Sequence, residues 1–202
     1  LVVELDAKKM VSGVFRYGRL DRVERSEVIY HADGKTATVD LVEFPDGVVG
    51  ILTNGKTDAT IQMREGAPAS TDELAMTMVG ALPVAANPKA RYVAVIGFGA
   101  GMTTHTVLGS SNIVRVDTIE IEPKMVDAAR HYRTHVSRAF DDPRSNIIFA
   151  DARTFFSSDP ARYDLIISEP SNPWVSGIAT LFTEEFYLRA HASLADDGLF
   201  VQ

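Results

Sequence analysis

The sequence predicts a two-part α/β chain, an antiparallel β meander followed by a doubly wound parallel sheet. Three observations predict it. Residues 1–70 carry short alternating or β-branched runs divided by Asp33-Gly34, Asp46-Gly47 and Asn54-Gly55, dipeptides suited to the positive φ angles of tight hairpin turns. From Arg91 onward, continuous apolar runs alternate with helical patterns, as in buried parallel strands joined by helices. The first of these runs, "YVAVIG", opens directly into a glycine-rich turn.

Taken in order, "SEVIYHADGKTATVDLVEFPDGVVGILTNGKTDATIQM" supplies the meander. Residues 72–81, "DELAMTMVGA", are expected to be helical, with Asp72 and Glu73 suited to a first turn because helix N-termini favour negative charge. "LPVAANPKA" reads as a proline-marked linker, so the expected divisions are 1–70, 71–90 and 91–202. After "YVAVIG" come the glycine turn, a short helix and a second strand, "IVRVDTIEIE". Pro123 suits a first helical position, and Met125, Val126, Ala129, Tyr132 and Val136 share one face of the helix expected there. "NIIFA", "YDLIIS" and "GLFVQ" give three more strands, the last two separated by a helix with Thr183 as N-cap and Glu184 and Glu185 in its first turn.

Composition narrows the function. The 202 residues are 46% hydrophobic and 23% charged, the balance of a globular protein large enough for one sizeable core. The net charge is −7 and no Lys/Arg stripe appears, which argues against nucleic acid and anionic membrane as partners. Cysteine is absent, removing disulfides and thiolate metal sites. No apolar run approaches the ~20 residues of a membrane-spanning helix. The chain opens on Leu1 and stops inside "GLFVQ", so it is expected to be a piece of something longer.

The candidate site lies where the strands end. Gly97, Gly99 and Gly101 form G-x-G-x-G, whereas a dinucleotide fingerprint sets its third glycine one residue later. The shorter spacing is the version usual for S-adenosylmethionine-type ligands, although glycines after a strand also serve simply to make a turn. The second strand ends in Glu120 and Glu122, about 20 residues downstream, where an acidic side chain can take the ribose hydroxyls of an adenosine. The two share a face because strand side chains alternate, with Glu120 expected deeper. Glu122, beside Pro123, equally suits a helix N-terminus. Asp151 follows the third strand at the same carboxyl edge, placed to accept from an adenine amino group. The fourth strand runs into "ISEPSNPW", setting Glu169, Asn172 and Trp174, the chain's single tryptophan, among stiffening prolines.

In sequence order, "LTNGK", "DELA", "VIGFGAG", "IEIEPKMVDAAR", "DDPRSNIIFADAR", "YDLIISEPSNP" and "LFTEEFY" through "DGLFVQ" resemble the spermidine synthase family over nearly the full chain. The match is nearest to bacterial synthase-like domains fused to membrane segments. The resemblance implies a Rossmann-like class I S-adenosylmethionine-dependent methyltransferase fold behind the meander, with two further strands after "GLFVQ" in a complete domain. It implies aminopropyl transfer from decarboxylated S-adenosylmethionine to a small amine, with no metal, in a cytoplasmic homodimeric domain. By the same resemblance Glu120 would hold ribose, Asp151 adenine and residues 97–101 the backbone side of the donor. Glu169 and Asn172 stand where the synthases carry two aspartates, Ala100 replaces an aspartate that recognises the donor's amine end, and Met76 and Ala81 replace a tyrosine and a histidine. All these departures lie on the donor-amine and acceptor side.

The chemistry requires an amine with a pKa near that of lysine, about 10.4, to lose a proton. A carboxylate such as Glu169 can take it within hydrogen-bond reach, while Asn172 can only accept an N–H hydrogen bond through its carbonyl. "SNPW" also resembles a shortened form of the Asn-Pro-Pro-aromatic segment of amino-group methyltransferases. On that alternative the donor is S-adenosylmethionine itself and Trp174 stacks on the acceptor. A third alternative is a nucleoside pocket that binds without turnover. His131 and His135 are expected at the surface, because "HYRTH" lacks the glutamate of a zinc-protease motif. His105 follows the glycine turn closely enough to approach a ligand, and "DDPR" at 141–144 reads as a solvated turn.

Overall fold

The computed structural model describes residues 7–13, 18, 25–158, 162–170 and 178–202. A short helix, α1 (Ala7–Val11), precedes four strands, β1 (Glu27–Asp33), β2 (Thr38–Glu43), β3 (Val48–Thr53) and β4 (Lys56–Gln62), which pair antiparallel in chain order. Asn54 and Gly55 make the two-residue β3–β4 turn with φ of 49° and 73°, as the dipeptide predicts. Asp33-Gly34 behaves differently. The β1–β2 loop is longer, and Gly34 is needed for space: a Cβ there would lie 2.2 Å from Oε1 of Glu122.

Helix α2 (Thr71–Ala86) begins with a capping box, in which Ser70 Oγ accepts from the Glu73 N–H at 3.1 Å and the Glu73 carboxylate accepts from the Ser70 N–H at 3.3 Å. The helix continues through Pro83, well past its expected end. Proline forfeits one helical hydrogen bond, but Met76, Gly80 and Pro83 form one buried stripe, and that burial carries the helix into the expected linker.

The second sheet is wholly parallel. Its strands, β5 (Tyr92–Ile96), β6 (Arg115–Glu120), β7 (Ser145–Phe149), β8 (Tyr163–Ser168) and β9 (Leu194–Val201), lie in the spatial order β7-β6-β5-β8-β9. The connecting helices are α3 (Met102–Val107), α4 (Pro123–Ala129), α5 (Ser137–Asp141), α6 (Ala152–Ser158) and α7 (Glu184–Ala192), the last capped by Thr183 as expected. Alternation along β5 splits the core. Val93 and Val95 face the side of Val107 and Leu108, while Ala94 and Ile96 face Phe156, Phe186 and Ala190. Outward order from β5 reverses between β6 and β8, which makes the carboxyl ends of β5 and β8 the switch point where open α/β sheets bind ligands.

The meander packs through Val39, Leu41, Val49, Ile51, Ala59 and Ile61 onto Met125, Val126, Ala129, Tyr132, Val136 and Ala139. The expected face is thus buried, but not as one helix: α4 stops at Ala129 and gives way to a 3₁₀ turn, Arg130–Tyr132. The tighter turn aims the buried Tyr132 hydroxyl at the Val49 carbonyl, to which it donates at 3.1 Å. "DDPR" is also more than a solvated turn. Arg144 pairs with Asp142 and donates to the carbonyls of Leu108, Ser110 and Ile113, fastening the loop that leads into β6.

Candidate active site

The glycine turn leaves β5 with φ of 91°, 51° and 85° at Gly97, Gly99 and Gly101, a left-handed path that side chains with a Cβ rarely follow. Its intervening residues turn inward, and Phe98 and Ala100 join the apolar core beneath the meander. Gly97 is pinned on both sides. Its N–H donates to the Ile119 carbonyl at 2.9 Å, and a Cβ on it would meet the Glu169 carbonyl at 3.1 Å. The Glu169 N–H in turn donates to the Ile96 carbonyl at 3.1 Å, so the ends of β5, β6 and β8 close around one turn.

The end of β6 inverts the usual pattern of burial. Glu120 and Glu122 are 6% and 3% exposed, while Ile121 between them is 50% exposed. The alternation is as expected, and so is the deeper setting of Glu120; what the sequence does not show is the β1–β2 loop, which covers Glu122. The two carboxylates are held differently. Glu122 Oε2 accepts from the Thr36 N–H and hydroxyl at 2.7 and 2.8 Å, and Oε1 accepts from the Lys124 N–H at 3.0 Å, capping α4. Burial alone would raise its pKa, but these donors and the Ala37 N–H hold it below the ordinary glutamate value. Its acceptor positions are thus taken up by structure, and the helix N-terminus alternative describes it.

Glu120 accepts the Phe98 N–H on Oε2 and the Glu122 N–H on Oε1, both at 2.8 Å. Burial pushes its pKa up against these backbone donors. The Ile121 N–H also bears on the carboxylate, so the side chain is oriented by backbone donors while part of its acceptor capacity, about four lone-pair sites, stays open. The Glu120 carbonyl receives the Ala150 N–H at 3.0 Å, which brings Asp151 to the neighbouring strand end. Asp151 is exposed, and its Oδ1 accepts from the Thr154 N–H at 3.1 Å at the start of α6.

At the end of β8, Glu169 is half-buried, and burial raises its pKa against a hydrogen bond from Thr103. Thr103 Oγ1 lies 2.5 Å from Glu169 Oε2 and 3.3 Å from the Met76 carbonyl. Sequence reasoning missed Thr103; its only signal was a hydroxyl two residues past the last glycine, on the first turn of α3. Asn172 and Trp174 lie outside the described residues. His105 belongs to a different contact: its Nδ1 accepts from the Arg138 N–H at 3.2 Å, and burial lowers its pKa, so it braces α5. His131 is exposed, as expected, and His135 half-buried. Among the described residues, no His, Asp and Glu side chains gather as a metal site requires, and no helix is long and apolar enough to cross a membrane.

A parallel sheet in this order, with a G-x-G-x-G turn and an acidic residue ending the second strand, defines a Rossmann-like fold of the methyltransferase type, here with a β meander packed on it. The profile of the spermine/spermidine synthase domain matches residues 73–202, and the chain belongs to that family. It is 36% identical over 124 residues to a polyamine aminopropyltransferase of Clostridium perfringens, covering 61% of this chain and 44% of that one. It is 29% identical over 179 residues to the corresponding protein of Thermotoga neapolitana, covering 88% and 57%. The chain therefore spans about half the length of the curated relatives it matches. A crystal structure of spermidine synthase in complex with the transition-state analogue AdoDATO superposes with a TM-score of 0.75 at 29% identity, covering 86% of this chain and 56% of that one.

Proposed function

We propose that this chain carries the donor site, and part of the acceptor site, of a transferase that moves an aminopropyl group from decarboxylated S-adenosylmethionine to a small amine. The observation that carries the proposal is the pairing, around one glycine turn, of a backbone-held carboxylate with a carboxyl whose pKa burial raises. Glu120 takes the ribose hydroxyls with the acceptor capacity that its backbone donors leave open. Asp151 accepts from the adenine amino group, and the exposed Ile121 lies against the base. Residues Gly97–Gly101 let the backbone approach the donor closely. Glu169 faces the transferable group, together with Asn172 and, as a wall, Trp174.

In the reaction the neutral amine attacks the carbon bonded to the sulfonium. An N–C bond forms as the C–S bond breaks, methylthioadenosine leaves as a neutral sulfide, and the proton shed by nitrogen passes to Glu169. A base serves best with a pKa near working pH, and burial moves Glu169 in that direction. Membership of the family and the named aminopropyltransferase relatives support this assignment.

The test offers the full-length protein S-adenosylmethionine or its decarboxylated form, each with a panel of amines. Methylthioadenosine formed only from the decarboxylated donor is the expected result. S-adenosylhomocysteine would indicate methyl transfer, and binding of both donors without any product would leave a nucleoside-binding domain.

A further inference from the structure

A hydroxyl group has one hydrogen to donate, yet Thr103 Oγ1 stands between two oxygens, Glu169 Oε2 at 2.5 Å and the Met76 carbonyl at 3.3 Å. With Glu169 ionised, both neighbours are acceptors and only one can be served. The 2.5 Å separation assigns the hydrogen to the carboxylate. Once Glu169 takes a proton, the balance changes: the carboxyl donates to Oγ1, and the hydroxyl hydrogen turns to the Met76 carbonyl. Every hydrogen then has an acceptor. Thr103 is buried on α3 and Met76 on α2, and a Cβ on Gly80 would meet the Thr103 carbonyl at 3.0 Å, so the two helices hold the hydroxyl tightly between them.

We infer that Thr103 is a positioning residue for Glu169, a hydroxyl that reverses its hydrogen bond when the carboxyl gains or loses a proton. The inference rests on Glu169 as the base proposed above. The proton from the acceptor nitrogen goes to Glu169 Oε2; Thr103 rotates and is itself neither protonated nor deprotonated. Neighbouring titratable groups are engaged elsewhere. Glu120 faces the Phe98 and Glu122 N–H groups, His105 faces Arg138, Glu73 faces the Ser70 and Gln62 N–H groups, and Asp72 accepts from the Thr60 hydroxyl. Burial raises the Glu169 pKa and the Thr103 hydrogen bond lowers it, which fixes the sign of the test.

The experiment follows the Glu169 side-chain carboxyl by carbon NMR, assigned by its absence in Glu169→Gln, in the full-length protein and in Thr103→Val and Thr103→Ser. Thr103→Val should raise the midpoint by about one pH unit or more, the ionised form having lost its donor. The acid limb of the kcat profile should move upward with it, a rate loss on the order of tenfold at a fixed pH on that limb that is recovered at higher pH. Thr103→Ser should titrate like the parent. An unchanged midpoint in Thr103→Val, or a midpoint in Thr103→Ser that matches Thr103→Val, would overturn the inference. If the midpoint shifts while Glu169→Gln keeps full turnover, the coupling stands and the assignment of Glu169 as base is what fails.

Discussion

The two halves of the carboxyl edge hold their carboxylates by different means. On the proposed nucleoside side, Glu120 is gripped by backbone N–H groups, those of Phe98 and Glu122 among them, and Asp151 by that of Thr154. On the proposed transfer side, Glu169 is held through its side chain, among the described residues, by one hydroxyl that can turn. Backbone donors fix direction and favour the ionised form, which suits an oxygen that must always accept. A rotatable hydroxyl serves both protonation states, which suits an oxygen that must receive a proton and release it. On the function proposed above, one half would stay the same through a turnover and the other would change within it.

That contrast can be broken most directly at Glu169. Glu169→Gln should lower turnover by about 10²- to 10⁴-fold, the usual range for a positioned base, while calorimetry shows methylthioadenosine affinity unchanged. A parallel fall in affinity would mean that the two sides are not separable. The reverse dissociation is expected at Glu120. Glu120→Ala should weaken methylthioadenosine at least tenfold, each charge-assisted hydrogen bond being worth about 1.5–3 kcal/mol. If calorimetry instead finds NADH bound and no adenosyl-sulfur ligand, the glycine spacing does not select the nucleoside.

Glu122 sharpens the comparison as a buried carboxylate with structural partners. Glu122→Gln should cost about 1–3 kcal/mol of stability in denaturant melts, by setting an amide donor against backbone N–H groups, and leave ligand affinity intact in what remains folded. Because its folded pKa is depressed, its contribution is present above the unfolded glutamate value and fades as pH falls through the folded one. The stability difference between Glu122→Gln and the parent should therefore narrow in acid; a gap that widens would reverse the sign assigned here. The smallest effect belongs to Ile121, half exposed between Glu120 and Glu122. Ile121→Ala should reduce methylthioadenosine affinity by less than about tenfold, the scale of one partly buried aliphatic side chain, without moving the melting midpoint.

Much of the parallel sheet was legible because its signals are local. Five apolar runs became five strands, and the Asn54-Gly55 turn and the Thr183 cap follow from the residues at those positions. The positions of Glu120 and Asp151 at strand ends could be read for the same reason. What escaped reading depends on distant partners. Thr103 meets Glu169 across 66 residues, Glu122 meets Thr36 across 86, and Arg144 reaches carbonyls 31–36 residues back. No window of sequence displays such pairs. Pro83 misled for a related reason: the local rule ends a helix there, and burial of its face against the rest of the molecule overrides it.

The meander precedes its own support in the chain. The buried face of Val39, Ile51 and Ile61 is covered by residues from α4 to α5, and the polar tethers to that stretch, among them Thr36 to Glu122 and Val49 to Tyr132, span 86 and 83 residues. During synthesis the strands therefore leave the ribosome well before the surface that will cover them. At about 5–20 residues per second, the sheet waits for several seconds with one apolar side open. An open apolar face of that kind is the surface that chaperones cover, and a nascent chain held with the meander emerged and α4 still unmade would display an aggregation-prone sheet.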